Sequence, residues 1–245
     1  MTTTEGRKDG RGMARRGVVL GLALLSVLPS FRPLAAQVGH PPDRSPFHDI
    51  KAGGTLVLGF GYLSGGRGVV GVGPSDGDAF ALRFERPISR VLFAALGAAN
   101  ALTSRYVVDP SKDSASRTSG PVDNSLVIVD AGLYMLLTGS KSWHGLVPYW
   151  GITGGAALSG KASADPSAYD FGARLAFGPQ VGVRWYLARQ LSVRADARML
   201  YWRLTYPLQF RDPSPADSTR VLPPDGALRE WTRHSWLSLG VGWTF

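Results

Sequence analysis

Hydrolysis of an ester or amide by a side-chain nucleophile needs a base within hydrogen-bond reach of it, so the histidines come first. The chain has four, His40, His48, His144 and His234. His40 and His48 fall in a Pro-rich polar stretch and His144 in a short connection. His234 alone sits in a long alternating run. Its neighbour Ser235 points to the opposite face of an extended strand. Ser238 shares its face, but four residues along a strand is about 13 Å. The stretch GAALSGKA (155–162) nearly spells a phosphate-binding loop, G-x-x-x-x-G-K-[ST], yet Ala162 stands where the magnesium-binding hydroxyl belongs. Asp165-Pro166 follows where such a loop needs a helix. Asp76-Gly77-Asp78 and Asp165 with Asp170 offer too few oxygens for a dedicated calcium site and read as turn chemistry. With no cysteine in the chain, thiolate chemistry, disulfides and an N-terminal lipid anchor are excluded. No catalytic, cofactor or metal site is therefore expected.

The net charge of +9 over 245 residues is unevenly placed. Arg7, Lys8, Arg11, Arg15, Arg16 and Arg32 crowd the first 36 residues, against Glu5 and Asp9. Beyond them no Lys/Arg cluster appears, which argues against nucleic acid as a partner. Arg15 and Arg16, the apolar run GVVLGLALLSVL (17–28) and the small residues of PLAAQ (33–37) form a secretory signal, with cleavage expected after Ala36 and Met13 as an alternative start. The double arginine leaves general and twin-arginine export both open. The apolar run is too short to span a bilayer as a helix. Residues 37–50 read as a polar, Pro-rich linker.

From Gly53 onward, apolar and small or polar residues alternate in eight runs: 54–64, 78–86, 90–102, 124–138, 146–159, 171–187, 191–204 and 230–245. Such alternation predicts strands. The connections 87–89, 139–145 and 188–190 are short, while 65–77, 103–123, 161–170 and 205–229 are long. Long and short alternate strictly, so an antiparallel sheet collects all long loops at one end.

In the eighth run Leu237, Leu239, Val241, Trp243 and Phe245 share one face. In the sixth, Phe171, Leu175, Phe177, Val181, Val183 and Trp185 oppose Arg174, Gln180 and Arg184. Alternation alone does not separate a soluble sandwich from a lipid-embedded barrel with its charges inside. Run lengths matching the 9–11 residues of a tilted spanning strand favour the barrel. So do two aromatic belts: Tyr62, Phe80, Tyr201, Trp202 and Trp231 toward the long loops, and Trp150, Trp185, Trp243 and Phe245 toward the short turns. Arg83, Glu85, Asp130, Arg174, Arg184, Arg194, Asp196 and Arg198 then face the lumen. An eight-stranded barrel is just wide enough for side chains to fill it, and unpaired buried charges are costly. This set is expected to be a salt-bridged plug.

The closing stretch SLGVGWTF (238–245) places Ser238, Gly240, Trp243 and Phe245 in the order polar, Gly, aromatic, aromatic. It resembles the C-terminal signal of bacterial outer-membrane barrels. PYWGITGGAAL (148–158) and FGPQVGVRWYLARQLSVRADARM (177–199) are similar to the fifth strand and the sixth-to-seventh hairpin of the OmpA-like and OmpX-like group. The resemblance covers roughly residues 51–245. It implies an all-β, eight-stranded antiparallel up-and-down transmembrane β-barrel with long external loops and short periplasmic turns, without the peptidoglycan-binding domain of some relatives. It further implies a monomeric, non-enzymatic protein of the cell outer membrane, with a role in envelope integrity or surface interaction. Implied partners are outer-membrane lipid and lipopolysaccharide, with the barrel assembly machinery and periplasmic chaperones during biogenesis. A lipid-A-modifying enzyme and a narrow small-solute channel remain as alternatives.

Overall fold

The computed structural model describes residues 45–160, 165, 167 and 169–245. The export signal with Met13, Arg15, Arg16 and Ala36, the linker residues 37–44 with His40, and Lys161 and Ala162 lie outside the described residues.

Ten strands follow one another in the described chain: β1 (Phe47–Asp49), β2 (Thr55–Gly65), β3 (Ser75–Pro87), β4 (Leu92–Val108), β5 (Thr118–Leu136), β6 (Lys141–Trp143), β7 (Leu146–Ser159), β8 (Gly172–Tyr186), β9 (Leu191–Thr205) and β10 (Arg229–Thr244). Eight of them pair antiparallel in a closed ring, β2-β3-β4-β5-β7-β8-β9-β10 and back to β2. A closed ring has no free sheet edge to satisfy. The seam joins β2 to β10 from Thr55↔Thr244 to Gly65↔His234, and the Thr55 and Thr244 hydroxyls meet across it at 2.9 Å. The two short strands pair with each other outside the ring, Phe47↔Trp143 to Asp49↔Lys141. Part of the stretch read as linker is thus hydrogen-bonded strand.

Period-two alternation assigns each strand one apolar outer face. Leu58, Phe60 and Tyr62 on β2, Leu175, Val181 and Trp185 on β8, and Leu237, Leu239, Val241 and Trp243 on β10 are all exposed. Tyr62, Phe80 and Trp231, and Trp150, Trp185, Trp243 and Phe245, point outward as the aromatic belts require.

Two aromatics do not follow the expected faces. Trp202 is fully buried. Register explains it, because Trp202 shares the even-numbered inner face of β9 with Arg198 and Leu200. Phe171 is also buried. Gly172, at φ +59°, breaks the alternation of β8 and turns Phe171 inward against Trp202.

The stretch 103–123 is not a loop along most of its length. β4 continues to Val108 and β5 begins at Thr118, with a register shift between Arg105 and Val107. The residues involved, Tyr106, Val107 and Val108, are good strand formers, but polar neighbours on both sides hid them. The result is a hairpin continuing past the ring on the long-loop side.

Candidate functional site: the charged interior

The interior has two apolar zones. At the long-loop end, Leu63, Leu126, Ile128, Leu200, Trp202 and Trp236 from the strands pack with Tyr169, Phe171, Tyr206, Phe210 and Leu222. The last three come from the connection after β9, which includes a 3-10 turn at Leu208–Arg211. At the short-turn end, Phe93, Tyr134, Leu136, Val147 and Tyr149 form a second cluster.

The ionised side chains bridge these zones. Glu85 is fully buried and takes Arg184 at 2.7 Å and Arg194 at 2.5 Å, one on each carboxylate oxygen. Arg194 also reaches Asp196 at 2.7 Å, and Arg198 pairs with Asp130 at 2.5 Å. Four strands therefore contribute: β3 supplies Glu85, β5 Asp130, β8 Arg184, and β9 Arg194, Asp196 and Arg198. The contacts of Arg194 and Arg198 are charge-assisted hydrogen bonds, which are short and strong, and together with the Arg184–Glu85 ion pair they hold charges that burial would otherwise penalise.

Neutral residues complete the network. The Gln180 carbonyl accepts from Arg83 at 3.2 Å, Tyr134 at 3.0 Å and Arg198 at 3.1 Å, while its amide donates to Asp196 at 2.8 Å. Arg83 also donates to the Tyr134 hydroxyl at 2.9 Å. The Tyr149 hydroxyl accepts from Arg194 and donates to Asp196. Aromatic faces cover the guanidinium groups: Tyr134 lies under Arg83, Phe93 and Tyr149 under Arg184, and Trp236 under Arg198 at 4.8 Å. Cation–π contact suits arginine in a site too narrow to hydrate it fully.

Of the eight charges read as luminal, the structure gathers Arg83, Glu85, Asp130, Arg184, Arg194, Asp196 and Arg198. Arg174 stands apart near the long-loop end. It donates to the Thr205 hydroxyl at 3.2 Å and the Asp170 carbonyl at 3.3 Å, and among the described residues it makes no ion pair. Gln180, Tyr134 and Tyr149 were missed as members. The signal was present for all three: Gln180 shares a face with Arg184, Tyr134 shares one with Asp130, and Tyr149 follows Val147 on the inner row of β7. Gly182 is needed here, since a Cβ would come within 2.6 Å of the Asp196 carboxylate.

The residues singled out for chemistry are engaged elsewhere. His234 is buried, its imidazole parallel to the Trp202 indole and its Nε2 3.0 Å from the Thr232 hydroxyl. Ser235 points outward. Asp76 pairs with Arg67 at 2.9 Å and Asp165 with Arg105 at 2.8 Å, the latter fully buried. Asp170 accepts from the Gly172 amide at 3.0 Å. Among the described residues, no three His, Asp or Glu side chains gather as metal ligands. The arrangement is built to hold opposite charges still and to fill space.

No family model matches the sequence, and no curated protein does. Among solved structures, Neisserial surface protein A is similar over 82% of this chain and 98% of its own, at 14% identity and a TM-score of 0.49. The outer membrane protein OprG from Pseudomonas aeruginosa is similar over 80% and 98%, at 13% identity and 0.47. Ail, the attachment invasion locus protein of Yersinia pestis, solved with the heparin analogue sucrose octasulfate, is similar over 80% and 100%, at 13% and 0.37. With its eight strands closed antiparallel, its apolar faces outward and its charges within, the chain has the fold of the small eight-stranded outer-membrane β-barrels.

Proposed function

We propose that this protein is exported and resides in the outer membrane as a monomeric, non-enzymatic barrel. In this reading the long-loop end faces outside, and the filled lumen makes the barrel a rigid anchor rather than a pore. The loops serve surface interaction or envelope integrity. Ser238, Gly240, Trp243 and Phe245 act as the assembly signal read by the barrel assembly machinery.

The inversion of the sheet supports this best. Phe60, Leu175, Leu237 and Leu239 are more than half exposed, while Glu85, Arg184, Arg194 and Arg198 are almost wholly buried. In water this would cost a great deal; in lipid each face meets the medium it suits. The test is outer-membrane fractionation with gels of boiled and unboiled protein, followed by planar-bilayer recording. A faster unboiled band in the outer-membrane fraction, with no steady conductance, is the expected result. A soluble periplasmic protein with no mobility shift would overturn it, and steady single-channel steps would overturn the closed lumen.

A further inference from the structure

The charges of the interior network do not balance. Arg83, Arg184, Arg194 and Arg198 stand against Glu85, Asp130 and Asp196, so one positive charge is in excess. Arg184 and Arg194 hold Glu85, Arg194 also holds Asp196, and Arg198 holds Asp130. Arg83 is the cation left over. Its Nη1 donates to Tyr134 and Gln180, both neutral, and its Nε and Nη2 donate to nothing among the described residues. A charge without a counter-charge is expensive in a low-dielectric interior.

The wall beside these arginines is thin. Register aligns Gly240 of β10 with Gly59 of β2, Gly59 with Ala81 of β3, and Ala81 with Ala99 of β4. All four belong to inner rows, so across four strands nothing larger than a methyl group enters the lumen at this height. The result is a cavity of about 30 Å³, lined on its polar side by Arg83, Gln180, Arg194, Arg198, Trp236 and Ser238. One water needs roughly 10–15 Å³, so the space suits a water or two, or a single monatomic ion. Free donors face few free acceptors here. Trp236 is 4% exposed, and its indole N–H has no hydrogen-bond partner among the described residues. The Ser238 hydroxyl and Nη2 of Arg198 are equally unengaged among them. Asp196 also borders the cavity, but its carboxylate is already taken by two nitrogens of Arg194, by Gln180 and by Tyr149.

From an unbalanced guanidinium, a buried indole donor and a cavity of monatomic size, we infer that the lumen binds a single halide ion, chloride being the common one. Arg83 supplies the opposite charge, and the Trp236 indole and the Ser238 hydroxyl donate to the ion. Guanidinium, indole N–H and hydroxyl all offer hydrogens to an anion. Water would satisfy the donors in the same space but would leave the excess charge uncompensated. The ion makes the network neutral, so its role is to complete the plug and stabilise the closed barrel.

Urea unfolding of the barrel in lipid vesicles tests this, with chloride raised from millimolar to molar against gluconate at constant ionic strength. Every variant is first checked for the unboiled gel shift, so that failure to form a barrel is distinguished from failure to bind. One ion held only by the folded state makes the unfolding constant fall about ten-fold for each ten-fold rise in chloride above the dissociation constant. That dependence is expected for the unaltered chain and for R174Q, which lies outside the network. Folded R83Q, which removes the excess charge, and folded A81L, which fills the cavity, should both lose it. W236F, which keeps a ring under Arg198, should weaken it. Bromide should replace chloride and sulfate should not, and crystals grown in bromide should show an anomalous peak between Arg83 and Trp236. No chloride dependence in the unaltered chain would mean that water alone fills the cavity, and would overturn the inference. Dependence that persists in either folded variant, or bromide peaks found only elsewhere, would overturn it as well.

Discussion

The imidazole of His234 stacks on the indole of Trp202, with ring centroids 3.7 Å apart and planes 17° from parallel. Each comes from a different strand, β10 and β9, and both are completely buried. The pair forms the floor beneath the loop residues that fill the long-loop mouth, with Phe171 standing edge-on to Trp202. The one histidine placed like a catalytic base is therefore a packing residue.

Trp202→Ala should lower the free energy of unfolding by about 3–5 kcal/mol, the usual cost of deleting a buried large aromatic, and Trp202→Phe by less. Urea unfolding in lipid vesicles, followed by tryptophan fluorescence, measures this. A cost under about 1 kcal/mol would mean that the mouth is loosely packed.

Glu85→Gln should be among the most damaging single changes to the interior. It leaves Arg184 with no carboxylate partner and Arg194 with only Asp196. Removing one partner of a buried pair costs about 3–5 kcal/mol. Removing the charges together, as E85L/R184M, should recover a good part of that loss, since apolar replacements of similar volume are often tolerated. The same unfolding assay reads both. Equal damage by the single and double variants would argue that packing shape rather than charge is at stake.

The outer loops are fastened to each other through Asp217. Its carboxylate accepts from the Thr219 hydroxyl at 2.6 Å, from the Ser114 amide at 2.7 Å and from the Thr219 amide at 3.0 Å, and Arg117 lies 4.0 Å away. These hydrogen bonds, the Thr219 hydroxyl foremost, hold its pKa well below the usual carboxylate range. A depressed folded value means the stabilisation is present in full above the unfolded value and lost as pH falls through the folded one. Amide exchange of residues 109–117 and 214–222, corrected for intrinsic rate, should stay constant from pH 7 to about pH 4 and rise only below it. Loosening between pH 7 and 5 would assign the clasp to another group.

Phe245→Ala should reduce the amount of barrel reaching the outer membrane several-fold while leaving refolding in detergent nearly unaffected. The Phe245 ring is exposed and stacks only loosely on Phe84, with centroids 6.3 Å apart. Quantifying folded protein in membrane fractions, beside the refolding yield of the same variant, separates the two effects. Matching losses in both assays would make the residue structural.

Much of this was legible because a barrel wall has two faces and a strand has period two. Runs such as 237–245 declare their outer row outright, and parity alone gathers Arg194, Asp196 and Arg198 on one side. Legibility failed where the period was interrupted or masked. Gly172 reversed the face of Phe171. An inner-row Trp202 beside an outer-row Tyr201 read as a belt. Polar residues concealed the hairpin beyond Thr103. Arg174 obeys parity, yet lies too far along β8 from Asp196 to join the network, because parity fixes a side chain's face and not its height. The Arg105–Asp165 pair joins residues 60 apart, and no local pattern announces it.

The seam between β2 and β10 carries a temporal consequence. Thr55 and Thr244 touch although 189 residues separate them, so ring closure is the longest-range event in the fold. Until β10 is in place, β2 offers an unpaired edge and the inner charges lack a finished wall around them. Contacts so distant in sequence form late and slowly, and an exposed edge invites strand pairing with other chains. The interval before closure is therefore when this protein is most vulnerable to aggregation. A chaperone or assembly factor acting on it would matter most in that interval.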